Sequence, residues 1–422
     1  MDVLQPSAAC HDRSVRARER APAVLGAPIV PATTALHDVR PFQVSVADDD
    51  IDDLRRRLAA TRWPDALPGV GWDYGVDAAW LRDLCGYWAE GFDWRTQEAR
   101  LNAVPQAAVA VDDARVHCVH VRGRGPAPMP LVLTHGWPST FFEFYKVVGP
   151  LTDPGAHGGD PADAFDVVAP SLPGYGFSSP PRERGVNASR VADMWAALMS
   201  ALGYDRFASH GGDWGSAVTT ALGARYPERM IGLHLTMAAP PVEPSSLVGA
   251  QRVWWDELQR YRDREWGYVH LQRTKPQTPA FALTDSPVGL AAWVLEKWWR
   301  WSDCADADGN RDLGRVYTRD ELLTNVSIYW FTASIGPSMR LYYESFGPGA
   351  SIAQPHRVDV PTGLSLFKDP NAPPRELVEP WYDLRRYTTI DRGGHFPALE
   401  NPDALVHELR KFFRPLRSGG PW

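Results

Sequence analysis

The sequence has no long hydrophobic run. No window in its 422 residues supplies the roughly 18 apolar residues that a membrane helix requires. Residues 1–34 also lack the uninterrupted apolar core of a secretory signal, and they carry four arginines in RSVRARER. We therefore expect no membrane association, and we interpret residues 1–38 as a flexible tail.

Cysteine and basic charge are also scarce. The four cysteines are scattered without C-x-x-C spacing, and a chain of this length needs no disulfide staples. The formal charge is -7 and a basic surface patch is not evident, whereas nucleic-acid binding requires a clustered basic surface. We expect reduced thiols, a cytoplasmic location and no nucleic-acid partner.

Length and tryptophan content stand out among the features that are present. A chain of 422 residues exceeds the usual size of one simple core, so a main domain plus an inserted or appended unit is expected. The 18 tryptophans suit a pocket for an apolar or aromatic ligand, although plain core packing would also use them.

The first structured segment is predicted to be an N-terminal extension, residues 39–112, packed on the core. Ile51, Leu54 and Leu58 have the spacing of one helix face, and a second helix is predicted from about Asp77 to Gly91. The stretch from there to Val111 shows neither repeats nor low complexity.

Beyond the extension, strand patterns alternate with helical patterns. Strands are predicted for ARVHCVHVRG, MPLVLTHGWP and DAFDVVAPS, and a helix is predicted for ASRVADMWAALMSALG. A strand, a sharp turn and a helix are predicted in succession for DRFASHGGDWGSAVTTALG. This alternation predicts an α/β fold with a mostly parallel sheet flanked by helices. We place the core in residues 113–243 and 350–422, with a helical cap inserted at 244–349.

The turn Gly211-Gly212-Asp213-Trp214-Gly215 fits a nucleophile elbow between a strand and a helix. Asp at the centre favours attack on carbon to give an ester, in contrast to the esterase chemistry of serine elbows. The alternative is that Asp213 only caps the helix that follows, because Asp is a favoured N-cap.

Two further turns could complete such a site. The first turn, His135-Gly136-Trp137-Pro138, follows a buried strand. The backbone amide of Trp137 in this turn and that of Trp214 after the elbow would together form an oxyanion hole. Alternatively, the side chain of His135 would simply form a hydrogen bond within its own loop. His395 lies in a glycine-rich loop near the C-terminus, in position to act as a base.

The acid of the expected triad should follow the strand PTGLSLF. Asp369 is the first candidate there, and Glu376, farther along a proline-rich loop, is the reserve. The order nucleophile, acid, histidine is the one that this type of fold requires.

Together these segments resemble the α/β-hydrolase-fold epoxide hydrolases, in the branch of the microsomal and juvenile-hormone enzymes with an N-terminal extension. The segments that carry the resemblance, in order, are RRRLAATRWPD, HGWPSTFFEF, PSLPGYGFS, GGDWGS, GYVHLQRTKPQTPAFALTDSPVGLAAWVLEKW, RLYYE, PTGLSLF and RGGHFPALE. The chain differs in having an Arg-rich tail where the microsomal enzymes have a membrane anchor, and in an acid loop, FKDPNAPP, one residue shorter than usual.

The resemblance implies a role for each of five residues. Asp213 would be the nucleophile, His395 the base and Asp369 its acidic partner, while Tyr268 and Tyr342 of the cap would protonate the epoxide oxygen. Tyr343 competes with Tyr342 for its role.

The expected reaction converts an epoxide, bulky and aromatic to suit the Trp-rich cap, to a diol with water, and it needs neither a metal nor a cofactor. Such chemistry would fit bacterial detoxification or secondary metabolism. The alternatives are a haloalkane or haloacid dehalogenase, which also uses an Asp elbow, and a non-catalytic ligand-binding protein on the same scaffold. The sequence leaves open whether the protein forms a homodimer.

Overall fold

The computed structural model describes residues 38–348, 350, 357–369 and 372–417. The predicted tail therefore lies outside the described residues except for Asp38. The strands are β1 (Val39–Phe42), β2 (Gln106–Val111), β3 (Ala114–Val121), β4 (Met129–Thr134), β5 (Phe165–Pro170), β6 (Phe207–Gly211), β7 (Met230–Leu235), β8 (Val358–Leu366) and β9 (Tyr382–Thr389).

These strands form one sheet in the order β1-β2-β3-β5-β4-β6-β7-β8-β9. All neighbouring pairs from β5 to β9 are parallel, and the pairs β1–β2, β2–β3 and β3–β5 are antiparallel. The predicted mostly parallel sheet is confirmed. Its parallel strands all end at the same edge, where sites in such sheets are built.

The helices precede, flank or cap this sheet. Before and within the first half of the sheet they are α1 (Asp48–Ala59), α2 (Ala78–Glu90), α3 (Trp94–Asn102), α4 (Tyr145–Thr152), α5 (Ala188–Ala201) and α6 (Asp213–Arg225). Between β7 and β8 they are α7 (Gly249–Glu265), α8 (Gly267–Thr274), α9 (Gln277–Asp285), α10 (Pro287–Trp301), α11 (Arg319–Phe331) and α12 (Ile335–Phe346). The last are α13 (Arg375–Val378), α14 (Pro397–Glu400) and α15 (Pro402–Arg417).

The two helices predicted in the N-terminal extension are confirmed. α1 buries Ile51, Leu54 and Leu58, the three residues of the predicted face. Asp77 caps α2, since its carboxylate accepts hydrogen bonds from the backbone N–H of Ala79 and Trp80.

The same extension also contributes strands, which the sequence did not indicate. β1 and β2 pair with each other, and β2 pairs along its length with β3 of the core. The extension thus lengthens the sheet as well as packing on it. The exact domain boundaries stay predictions.

Helices α7–α12 form an insertion between two neighbouring strands, because β7 and β8 pair directly. The helical character predicted for this stretch is confirmed. We refer to α7–α12 as the cap. No helix in the described part of the chain is long and apolar enough to cross a bilayer.

Candidate active site

The candidate residues meet where parallel strands end. Trp137 follows β4, Asp213 follows β6, Asp369 follows β8 and His395 follows β9. Because these four strands are parallel within one sheet, their carboxyl ends bring the four residues to one edge.

Close packing explains the glycines around Asp213. A Cβ atom at Gly215 would collide with the carbonyl group of Thr134 at the end of β4, and one at Gly211 would collide with the backbone of Gly215. A Cβ atom at Gly136 would collide with the side chain of Asp213 itself. The elbow therefore accepts only glycine where β4, β6 and α6 converge.

Asp213 has the strained backbone of a nucleophile elbow. Its φ angle is +47°, a left-handed conformation that non-glycine residues rarely adopt and that concentrates at functional sites. The N-cap of α6 is Gly212. The Asp213 carboxylate instead accepts a hydrogen bond from the backbone N–H of Trp137, at 2.8 Å to Oδ1, which disfavours a capping role.

His395 lies between two carboxylates. Its Nδ1 donates to Oδ2 of Asp369 at 2.6 Å, and its Nε2 is 3.6 Å from Oδ2 of Asp213. The imidazole and the Asp369 carboxylate are each 7% exposed. Glu376, the reserve acid, is exposed to solvent. The structure thus brings Asp213, His395 and Asp369 together, with Asp369 in the place predicted for the acid.

These two carboxylates govern the charge of His395. Burial by itself lowers the pKa of the imidazole, but hydrogen bonds to Asp213 and Asp369 and the charges of both carboxylates outweigh burial. The pKa of His395 is therefore raised well above its usual value. This raised pKa favours the protonated form of His395 near neutral pH.

Glu400 holds the loop that carries His395, and sequence reasoning missed it. Its Oε2 accepts from the backbone N–H of Asp303 at 2.7 Å and of Gly394 at 2.8 Å, and its Oε1 from that of Phe396 at 2.9 Å. The carbonyl of Trp301 accepts from the backbone N–H of His395. The glutamate of RGGHFPALE was the available signal, but a single carboxylate at the end of the four-residue helix α14 has no periodic pattern.

Glu143 is a second buried carboxyl group that sequence reasoning did not single out. The Ser139 hydroxyl donates to it at 2.5 Å. Burial raises the pKa of Glu143 to about 7, because the Ser139 hydrogen bond and the charge of His395 offset the burial only partly. A lone acid inside the aromatic run FFEF was the signal for it.

The loop after β4 is fixed from both sides. The side chain of His135 is buried and pairs with the carbonyl of Gly136 and the backbone N–H of Leu172, and burial lowers its pKa to about 4. This is the structural role considered for it. From the cap, Asn325 donates to the carbonyl of Pro138 at 2.9 Å, and the Tyr329 hydroxyl donates to that of Ser139 at 2.9 Å.

Two backbone amides are predicted for the oxyanion hole. The N–H of Trp137 donates a hydrogen bond to Oδ1 of Asp213. Trp214 is the second residue of α6, where the first amides have no partner within the helix. A contribution from the Trp214 amide stays a prediction.

The two predicted cap tyrosines lie against each other, near enough to Asp213 for its charge to act on both. The ring centroids of Tyr268 and Tyr342 are 5.9 Å apart. The ring of Trp137 stacks on that of Tyr268 with 5.0 Å between centroids, and the ring of Trp214 packs edge-on against that of Tyr342 with 4.8 Å between centroids. Burial, with the charge of Asp213 adding to it, raises the pKa of both tyrosines well above their usual value. Both phenols therefore keep their protons. Tyr343 is less buried than Tyr342.

Known protein families match this chain in two segments. The family described as "Epoxide hydrolase N terminus" matches residues 39–144, and the alpha/beta hydrolase fold family matches residues 129–296.

Whole-chain relatives give the same family. A putative epoxide hydrolase of Stigmatella aurantiaca is 40% identical over 90% of this chain and 86% of its own length. Epoxide hydrolase 1 of Oryctolagus cuniculus is 36% identical over 89% of this chain and 88% of its own.

Solved structures match this fold across nearly its whole length. Juvenile hormone epoxide hydrolase of the silkworm Bombyx mori superposes with a TM-score of 0.81 at 30% identity, over 90% of this chain and 95% of its own. An epoxide hydrolase of Aspergillus niger superposes with a TM-score of 0.79 at 28% identity, over 90% of this chain and 97% of its own. The chain therefore belongs to the epoxide hydrolases of the α/β-hydrolase fold.

Proposed function

We propose that the chain hydrolyses epoxides through a covalent ester on Asp213. Oδ1 of Asp213 is engaged by the Trp137 amide, so Oδ2 is the attacking atom. It forms a bond to a ring carbon as the C–O bond of the epoxide breaks, while Tyr268 and Tyr342 hydrogen-bond the epoxide oxygen and supply its proton. The product of this step is a hydroxyalkyl ester and one phenolate, and this phenolate takes up the proton that His395 releases once the ester has formed.

In the second step, water attacks the carbonyl carbon of the Asp213 ester. His395, oriented by Asp369, removes a proton from that water, and the negative charge grows on Oδ1. The Trp137 amide, together with that of Trp214, stabilises this oxyanion. Collapse of the intermediate releases the diol and restores the carboxylate.

A single observation carries this proposal: His395 lies between the proposed nucleophile and the proposed acid. Ester formation neutralises Asp213 and so removes one of the two carboxylates that raise the pKa of His395. The pKa of His395 then falls and the imidazole can lose its proton. The base thus becomes available when the ester forms, which is when the reaction needs it.

We also propose that the substrate is bulky and aromatic. Trp137, Trp301, Tyr268 and Tyr342 contact one another around the site. Such rings favour flat apolar ligands. A cytoplasmic location and a homodimer stay predictions.

Trapping the ester tests the mechanism. In His395→Gln the base is lost but the nucleophile remains, so the ester should form and persist. Intact-protein mass spectrometry after mixing with styrene oxide should show a gain equal to one epoxide molecule, located on the peptide that contains Asp213.

Two controls accompany this experiment. The double variant Asp213→Ala/His395→Gln should gain no mass, and wild type should show diol and no lasting adduct. An adduct of equal yield in the double variant would place the covalent bond elsewhere and contradict the proposal.

A further inference from the structure

A lysine side chain is buried in the cap next to one of the proposed proton donors. Lys297 of α10 is 6% exposed, and its Nζ lies 5.3 Å from the centre of the Tyr268 ring. Lysine is rarely buried this far, because removing an ammonium from water is costly unless it is paired. The position of Lys297 therefore calls for a physical explanation.

The partners of Lys297 hold its ammonium in place. Nζ is 2.8 Å from Oε2 of Glu296, 3.4 Å from Oε2 of Glu265 and 3.3 Å from the Glu265 carbonyl. Arg300 also binds Glu265, at 2.8 Å. The Glu296 side chain is 25% exposed, whereas that of Lys297 is 8% exposed. Solvent therefore screens the negative charge of Glu296 more strongly than the positive charge of Lys297.

Tyr268 needs a nearby positive charge if it donates a proton. Transfer of its proton to the epoxide oxygen leaves negative charge on the phenol, and the charges of Asp213 and Asp369 both disfavour that charge. A cation over an aromatic ring is attracted by the electron density of the ring. That attraction grows as the phenol gains negative charge, so it stabilises the transition state more than the ground state.

We propose that Lys297 is a positioning residue for ring opening, which assists proton release from Tyr268 by holding an ammonium group over its ring. The inference rests on the proposed function of Tyr268 as a proton donor. It assigns Lys297 to the first step alone, since the phenol supplies no proton in the hydrolysis of the ester.

A double-mutant cycle with Tyr268 tests this inference. The rates of ester formation and of ester hydrolysis are measured separately, by stopped-flow tryptophan fluorescence in single turnovers of styrene oxide. Lys297→Met should slow ester formation about tenfold and leave ester hydrolysis unchanged. In a Tyr268→Phe background the same substitution should change ester formation by less than about twofold, because the two residues act together.

Three further variants separate charge from structure. Lys297→Arg keeps the charge and should restore most of the rate. Glu296→Gln breaks an ion pair but keeps the ammonium, so ester formation should not slow. Lys275→Met removes an exposed cap lysine and should behave as wild type.

The outcomes distinguish failure of this inference from failure of the proposed function. Equal slowing by Lys297→Met in both backgrounds, or slowing by folded Glu296→Gln, would show a structural ion pair and overturn the inference alone. If Tyr268→Phe forms the ester as fast as wild type, the proton-donor function of Tyr268 is wrong, and the inference falls with it.

Discussion

At the residue scale, the charge on His395 would link the two steps of the proposed reaction. Two carboxylates raise its pKa in the structure, and in the proposed mechanism ester formation removes the charge of one of them and so lowers that pKa. In the proposed mechanism the imidazole is therefore protonated before ring opening and neutral after it. A histidine with only one carboxylate beside it would not change its protonation in this way.

Asp369→Asn tests this account of His395. Hydrolysis of the ester requires neutral imidazole, so its rate rises with pH through the pKa of His395 and then levels off. Loss of the Asp369 charge lowers that pKa, so the rise moves to lower pH. The plateau rate should fall by roughly 10³–10⁴-fold, because the imidazole loses the carboxylate that orients it. Single-turnover hydrolysis rates measured across pH give both quantities.

Glu376→Gln is the matched control, since Glu376 is exposed and lies beyond Asp369 in α13. It should leave both the pH profile and the plateau as in wild type. A Glu376→Gln profile that matches that of Asp369→Asn would mean that the acid has been assigned to the wrong carboxylate.

The sequence identified Asp213, His395 and Asp369 because each stands in a recognisable turn after a strand, in the order that the fold requires. Glu143 and Glu400 could not be found in the same way. The role of Glu143 depends on its burial, and that of Glu400 depends in part on a hydrogen bond from Asp303, 97 residues away in the chain. No local pattern encodes either feature.

At the scale of elements, the elbow depends on how closely α6 approaches β4. A Cβ atom at Gly215 would collide with the carbonyl of Thr134, and two backbones cannot move apart there without disturbing the sheet. Gly215→Ala should therefore lower the free energy of unfolding by about 3 kcal/mol. Urea denaturation followed by circular dichroism measures this loss.

Gly86→Ala provides the comparison. Gly86 lies within α2, is exposed, and a Cβ atom there would meet no neighbouring atom within 4 Å. The substitution should raise the free energy of unfolding by about 0.5–1 kcal/mol, because alanine favours helix more than glycine does. Equal effects of the two substitutions would refute the steric explanation.

Elements with strong periodicity were predictable, and weakly patterned ones were not. α1 and α2 have clear apolar faces. By contrast, α3 has only nine residues, WRTQEARLN, and β2 consists mainly of small residues, QAAVAV. Pairing with β3 stabilises β2, and that tertiary contact overrides its weak intrinsic preference.

At the scale of the whole molecule, four buried histidines make the fold sensitive to acid. Burial lowers the pKa of His117 to about 3, that of His135 and His210 to about 4, and that of His234 well below its usual value. Since these values are lower in the folded than in the unfolded chain, unfolding takes up protons below pH 6.5. Their contribution to stability is full above pH 6.5 and is lost as pH falls toward 4.

The melting temperature should accordingly fall between pH 6.5 and 5. Near pH 5 the four histidines take up roughly three to four protons on unfolding, while Glu143, whose pKa in the fold is about 7, releases about one, so the net uptake is roughly two to three protons. Denaturant unfolding at a series of pH values gives this number from the slope of stability against pH. His210→Gln should reduce it by about one, whereas His157→Gln, at an exposed position, should not change it. Stability independent of pH in this range would contradict the prediction.

The fold class was predictable from the alternation of strands and helices and from the resemblance. The way in which the cap packs on the sheet was not predictable. Contacts such as Asn325 with Pro138 and Trp137 with Tyr268 join segments more than 100 residues apart, and they depend on how the cap packs on the sheet.

The most direct test of the central claim is a single turnover of wild type with styrene oxide in oxygen-18 water, followed by mass spectrometry of the diol and of the peptide that contains Asp213. If Asp213 forms the ester, the first-turnover diol carries no label and the Asp213 peptide gains one oxygen-18. A labelled diol with an unlabelled peptide would mean that water attacks the epoxide directly, and would contradict the assignment of Asp213 as the nucleophile.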